Sequence, residues 1–315
     1  MKKDFWTRPG VVVLTAVFCC ALWGSAIPFI KTGYRLFSIP SWDTASILLF
    51  AGLRFALAGI LVLVIGSLIQ KRLLLPTRTS YKAIPVLAFF QTAGQYFFYY
   101  IGLAHTSGVN GSIISGTSAF FALLMASMVF HYESLNLRKL TGCVLGFLGI
   151  LIMNLGDIQG ISVFGDGFVL LSQLCSALSA AFIKQFTQTD DAVMLSGYQF
   201  FAGGLCLILV GLGMGGHLAL TNALGLGVLF HLAFVSAAAY TLWGILLSKN
   251  PVSQVGIFGC LIPVMGVLLS ALMLQEVDQA FSLTGLISLL LIVGGVAILN
   301  VRKDENDDPE SRNCR

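Results

Sequence analysis

Ten runs of roughly 20 mostly apolar residues, joined by short connections, dominate this sequence, and that is the length a helix needs to cross a hydrocarbon core. They fall approximately at 11–30, 45–67, 83–104, 109–130, 138–155, 165–184, 193–213, 223–247, 254–274 and 281–300. Lipid offers nothing to a backbone N–H or C=O, so each run is expected to be helical. Composition agrees: hydrophobic residues make up 57% of 315, charged residues 10%, and mean hydropathy is +0.90. A soluble chain needs roughly a quarter of its residues charged, so this one has too little charge to coat a water-facing surface. The first run follows a basic start but is long for a secretory signal and has nine successors, so it reads as an uncleaved first helix. The fold class expected is an all-α integral membrane protein with ten transmembrane helices.

Charge placement orients those helices. With ten spans and both ends on one side, Lys2, Lys3, Arg8, Lys71, Arg72, Arg78, Lys82, Arg138, Lys139, Lys184, Lys249, Arg302, Lys303, Arg312 and Arg315 all fall on one face. Lys31 and Arg35 fall on the other, and Arg54 lies within a span. Basic loops stay cytoplasmic, so a plasma-membrane protein with cytoplasmic N- and C-termini is expected. Residues 1–10 form the cytoplasmic N-terminus, and the charged tail 302–315, "RKDENDDPESRNCR" with its Pro, is expected to be disordered.

The chain also repeats itself. "LRFALAGILVLVIG" (Leu53–Gly66) aligns without gaps on "YQFFAGGLCLILVG" (Tyr198–Gly211), matching Phe55 with Phe200, Gly59 with Gly204 and Gly66 with Gly211. The fourth and ninth spans each end at a lone glutamate, Glu133 and Glu276, with Gly142 and Gly285 nine residues further on. "FIK" closes both the first span (Phe29–Lys31) and the sixth (Phe182–Lys184). Five helices per copy, at 11–155 and 165–301, turn the second copy upside down in the membrane. Inverted repeats of this kind build many secondary transporters, with the solute site near the midplane between the copies.

The motifs "LWGSAIPFIK", "LRFALAG" and "LMLQEVDQAFSLTGLISLLLIVGGVAILN" resemble the EamA-type branch of the drug/metabolite transporter superfamily. The resemblance extends from about residue 11 to 301; each motif is loose, but their ordered set is specific. It implies a ten-helix inverted-repeat transporter of small organic solutes, often amino acids or related metabolites, frequently moved outward. One departure is visible: the family's fourth span often carries a proline where this chain has Phe120, whereas the ninth retains Pro263.

The polar residues inside the spans mark the candidate route. All 14 acidic residues lie in loops, tails or span ends, so the in-membrane carboxylate common in proton-driven carriers is not evident. His231 is the one in-span residue whose ordinary pKa suits proton coupling, although a lone histidine is more often a packing residue. Facilitated movement or exchange fits this inventory better, with protons carried by the substrate as the alternative. Arg54 either snorkels to the outer headgroups or faces a wet cavity and receives an anionic group such as a carboxylate; its repeat counterpart is Gln199.

In the third span Gln91, Gln95 and Tyr99 recur every four residues and share a helix face. That stripe must face protein or water, serving either helix–helix hydrogen bonding or a mixed-polarity solute. Trp23, Ser25, Gln173, Ser176, Tyr198, Tyr240, Trp243 and Gln254 add similar chemistry from other spans. The fourth span devotes its first half to Ser107, Asn110, Ser112, Ser115, Thr117 and Ser118 among Gly108, Gly111 and Gly116. Spacing by four permits close helix approach, while Asn110, Ser115 and Ser118 exceed what packing needs.

Other chemistry has little support. Six of the 7 cysteines lie in spans, where a thiol behaves as a small hydrophobe. His105, His131, His217 and His231 show no metal spacing. No phosphate loop or nucleophile motif occurs, and the scattered basic residues suit topology better than nucleic acid. The expected partners are a small-molecule substrate and membrane lipids, with no cofactor. A channel and a membrane-embedded enzyme are the rival classes. The first would need a continuous polar route, the second a convergent acid, base or nucleophile set.

Overall fold

The computed structural model describes residues 5–106, 111, 114–153, 162–219, 221–262, 264–265 and 283–300, and every regular element among them is helical. A 3-10 turn at Phe5–Thr7 leads into α1 (Pro9–Leu36), then α2 (Thr44–Gln70). Over residues 80–104, α3 is built from Ser80–Leu87, a π-helical stretch Ala88–Ala93, and Gly94–Ala104. Over residues 118–129, α4 joins Ser118–Leu124 to π-helical Met125–Val129. Next come α5 (Leu137–Met153), α6 (Val163–Phe186), α7 (Ala192–Gly213) and α8 (Leu224–Lys249). The helix α9 starts at Val252–Gly256 and tightens to 3-10 at Ile257–Cys260, and α10 is Leu283–Asn300.

Five helices, α1, α2, α6, α7 and α8, are long and apolar enough to cross a membrane, and shorter apolar helices run over Ser118–Val129 and Ile287–Leu299. The runs expected at 83–104 and 109–130 are interrupted by the π-helical turns. Parts of the runs at 109–130 and 254–274 lie outside the described residues, as do Asn110, Pro263, Glu276 and the tail. Helix α1 extends to Leu36, beyond its apolar run. Lys31–Arg35 is hydrophilic but helix-compatible, and Thr32 Oγ1 donates to Pro28 O at 3.0 Å.

Local signals explain the ends. Asp43 accepts from Ser46 N at 3.0 Å to start α2. Asp191 accepts from Val193 N at 2.8 Å and Met194 N at 3.0 Å to start α7, and Ser162 caps α6 through Gly165 N at 3.1 Å. Each satisfies an amide that the first helical turn leaves unpaired. Lys71 adopts φ 52° and closes α2.

The helices pack in a pattern of pairs: α2 on α7, α5 on α10, α1 on α8, and the second half of α3 on α6. Glycine makes the first of these seams possible. A Cβ at Gly52 would lie 2.8 Å from Gly204 O, and one at Gly59 would lie 2.6 Å from Gly197 O. Small residues are how helices approach closely where no hydrophobic drive separates lipid from protein. The outward faces are correspondingly apolar: Leu14, Leu68, Leu209 and Leu290 are 70–74% exposed. Apolar exposure on that scale is foreign to soluble monomers.

Where α4 passes to α5 and α8 to α9, polar contacts tie the helix ends. Glu133 accepts from Ser253 N at 3.1 Å and from Ser253 Oγ, and pairs with Lys139 Nζ at 3.0 Å. Lys184 Nζ donates to Asn250 O at 2.7 Å, and Asn250 Nδ2 to Trp6 O at 3.0 Å.

Candidate functional site

Between the helix pairs lies a cavity of ≈ 340 Å³. Its wall receives Trp23 from α1, Arg54 from α2, and Gln91, Gln95 and Tyr99 from α3. Ser115 and Ser118 come from the start of the α4 region, Gln173 and Ser176 from α6, and Tyr240 and Trp243 from α8. The four-residue stripe on α3 therefore faces a cavity between helices, as a face too polar for lipid requires. Gln91 sits within the π-helical turn Ala88–Ala93, a distortion frequent at functional sites.

Arg54 is the charged member of the wall. It is 4% exposed, and its Cζ lies 4.4 Å from the Phe55 ring centroid and 5.7 Å from that of Tyr96. Its Nε has no hydrogen-bond partner. The ion pairs among the described residues, Arg72 with Asp191 and Lys139 with Glu133, involve other residues. Arg54 is thus held beside aromatic rings at the border of the cavity. Burial against Phe55 and Tyr96 takes the place of snorkelling.

Aromatic rings complete the chamber. Trp23 meets Tyr240 at 4.8 Å and Trp243 at 5.1 Å between ring centroids, and Phe55 meets Tyr96 at 4.5 Å. The Tyr96 and Tyr240 hydroxyls are hydrogen-bonded to each other. Small polar groups fill the rest: Ser115 Oγ donates to Gly111 O at 2.7 Å, and Gln173 Nε2 to Ser172 Oγ at 2.9 Å.

Several expected site residues lie elsewhere. Gln199, fully buried, accepts from Thr92 Oγ1 at 2.8 Å and binds α7 to α3, away from the wall. Tyr198 packs on the main apolar core. Ser25 is turned back to Leu22 O at 2.7 Å, and Gln254 is half-buried off the wall. His231 packs against Phe29, with ring centroids 4.3 Å apart and planes tilted by 44°, outside the cavity. Conversely, the wall includes Tyr96, Tyr100, Ser179 and Ser236, which the sequence reading passed over. Tyr96 and Tyr100 form a second four-residue stripe, one position round the helix from Gln95 and Tyr99; the two serines carry no such signal.

A family model described as the EamA-like transporter family matches the chain over residues 10–155 and again over 163–301. The chain belongs to the EamA-like transporter family. A Bacillus subtilis relative, "Uncharacterized transporter YvbV", is 27% identical over 311 residues, covering 96% of this chain and 94% of its own. An Escherichia coli relative named "Probable amino-acid metabolite efflux pump" is 29% identical over 311 residues, covering 92% and 94% respectively. A solved structure superposes with TM-score 0.75 over 92% of this chain and 96% of its own at 16% identity, a likeness that bears on the fold. EamA-like membership and the apolar helices make this a membrane transporter with a small-molecule substrate.

Proposed function

We propose that this EamA-like chain is a secondary transporter that moves amphipathic organic metabolites, amino acids or close relatives, across the plasma membrane by alternating access, as export or exchange. The observation that carries the reading is the meeting of Arg54, the Gln91–Gln95–Tyr99 stripe, Gln173 and Tyr240 around one chamber between helices. A cation, amides and aromatic faces together suit a solute with a charged head and an apolar body. The efflux-pump name of the Escherichia coli relative points the same way.

Two five-helix repeats, 11–155 and 165–301, inverted about a two-fold axis in the membrane, supply the rocking halves. The helix pairing supports this. Exchanging the repeats turns the α1–α8 contact into α6–α3 and maps α2–α7 and α5–α10 onto themselves. It also turns the Gly52–Gly204 approach into Gly197–Gly59. The basic residues favour cytoplasmic termini. Site roles are assigned to Gln91, Gln95, Tyr99, Ser115, Ser118, Trp23, Arg54, Gln173, Tyr240 and Trp243, while Asn110 extends the polar half of the fourth span. A channel is disfavoured because apolar and aromatic groups interrupt the polar ones on the wall, and an enzyme because no nucleophile–base pair meets there among the described residues.

Purified protein in proteoliposomes tests the reading. Saturable uptake and acceleration of label entry by solute trapped inside are expected; linear, non-saturating flux would reject a carrier. Reporter tags placing the two termini on opposite sides would reject the topology.

A further inference from the structure

The charge balance of the chamber points beyond a generic amphipathic site. Arg54 is almost fully buried, has no ion pair among the described residues, and has an Nε with no hydrogen-bond partner. Among the described residues no carboxylate lines the chamber. The rings of Phe55 and Tyr96 lie beside the guanidinium, and Arg54 borders the chamber. We propose that the chamber selects solutes of net charge −1, a carboxylate on an apolar body without a compensating ammonium, and exchanges one such anion for another. The proposal rests on the carrier reading above and narrows its substrate class, from amino acids and their relatives to the relatives that lack the ammonium.

The reason is electrostatic. Closing a chamber on both sides removes water, and an unpaired charge in that setting is strongly disfavoured. The empty chamber closes on a cation that has aromatic neighbours but no counter-ion among the described residues. A monoanion neutralises it through a charge-assisted fork. A zwitterion neutralises the guanidinium but brings an ammonium for which the described wall has no carboxylate, only aromatic faces and amides. A cationic guest doubles the charge. Passage through the closed state is therefore favoured when an anion is aboard, and the empty return is slow. Exchange follows without a titratable carboxylate in the membrane.

Three solutes that share a phenyl ring and differ in charge test this: 3-phenylpropionate, phenylalanine and phenethylamine. Uptake of labelled 3-phenylpropionate is measured in proteoliposomes of the full chain, with protein-free vesicles subtracting passive leak. Unlabelled 3-phenylpropionate should compete at concentrations about tenfold or more below phenylalanine, the scale of one hydrogen-bonded charge, and phenethylamine should not compete. Trapped 3-phenylpropionate should accelerate label entry about tenfold over empty vesicles, and trapped chloride should not. In Arg54→Gln both the charge preference and the acceleration should vanish, while Arg54→Lys should retain part of each.

If Arg54→Gln fails to insert, the wild-type charge series decides alone. Phenylalanine competing as well as 3-phenylpropionate, or equal entry into loaded and empty vesicles, would overturn the inference and leave the carrier reading standing. With each of the three labelled in turn, the absence of saturable flux for all of them would overturn the carrier reading itself.

Discussion

Tyr96 on α3 and Tyr240 on α8 join hydroxyl to hydroxyl across the wall of the chamber. In the proposed repeat arrangement these helices are counterparts, so the bond links the two halves beside Arg54. Tyr96→Phe or Tyr240→Phe should each cost about 1 kcal/mol of stability, read as a lowered Tm in detergent. The double variant should cost little more than the worse single one, since either change removes the same bond. Half-saturation for a transported solute should rise roughly fivefold, the equivalent of that energy. Additive losses in the double variant would show that the phenols act separately.

Gln95 and Gln199 are both in-span amides, yet they differ in surroundings. Gln95 lines the chamber, whereas Gln199 is sealed between α7 and α3 with its Nε2 unpaired. Gln95→Leu should abolish transport with normal insertion and Tm. Gln199→Leu removes an amide with an unpaired Nε2 but strands the buried Thr92 hydroxyl, so half-saturation should stay within about twofold while stability falls by about 1–3 kcal/mol, read as a lower Tm. The reverse pattern would exchange their roles.

Much of this architecture is legible in the residues, for identifiable reasons. The run at 45–67 anticipates Thr44–Gln70 because hydropathy marks the helix and Asp43 marks its start. The Gln91–Gln95–Tyr99 stripe is visible because side chains four apart stack on one face whatever packs against it. By contrast, the π-helical turns at Ala88–Ala93 and Met125–Val129 leave no trace in composition. The environment of Arg54 depends on Tyr96 from another helix, so it belongs to packing and not to any local stretch. Gln199 aligns with Arg54 in the repeat but spends its amide on Thr92, which sequence similarity between the copies does not foretell.

The α2–α7 seam offers a sharp contrast among glycines. At Gly59 an added methyl would meet the backbone of Gly197 at 2.6 Å, whereas at Gly167 on α6 it would meet nothing within 4 Å. Gly59→Ala must separate two helices along their length, so a loss of about 1–3 kcal/mol is expected, seen as lower Tm and poorer yield. Gly167→Ala should be neutral or gain a few tenths to about 1 kcal/mol from helix propensity. Equal tolerance at both sites would mean that the seam is looser than its geometry.

Glu133 supplies a pH-dependent tie between the end of α4 and the start of α9. Burial alone would raise its pKa, but hydrogen bonds from the Ser253 hydroxyl, Lys139 and the Ser253 amide outweigh it and hold the carboxyl below its ordinary value. A carboxyl depressed in the folded state stabilises the protein fully above the unfolded value of about 4.3. That stabilisation is lost as pH falls through the folded value. Tm in detergent should therefore drop between neutrality and pH values below about 4.3, and part of that drop should disappear in Glu133→Gln. At neutral pH the variant should be less stable by about 1–3 kcal/mol, since charge-assisted hydrogen bonds become neutral ones and Lys139 keeps Ser134 O but loses its counter-ion. The link to Lys139 should appear as a double-variant cycle in which Lys139→Met costs less once Glu133 is Gln. An unchanged acid profile in Glu133→Gln would show that other carboxylates set the acid limit.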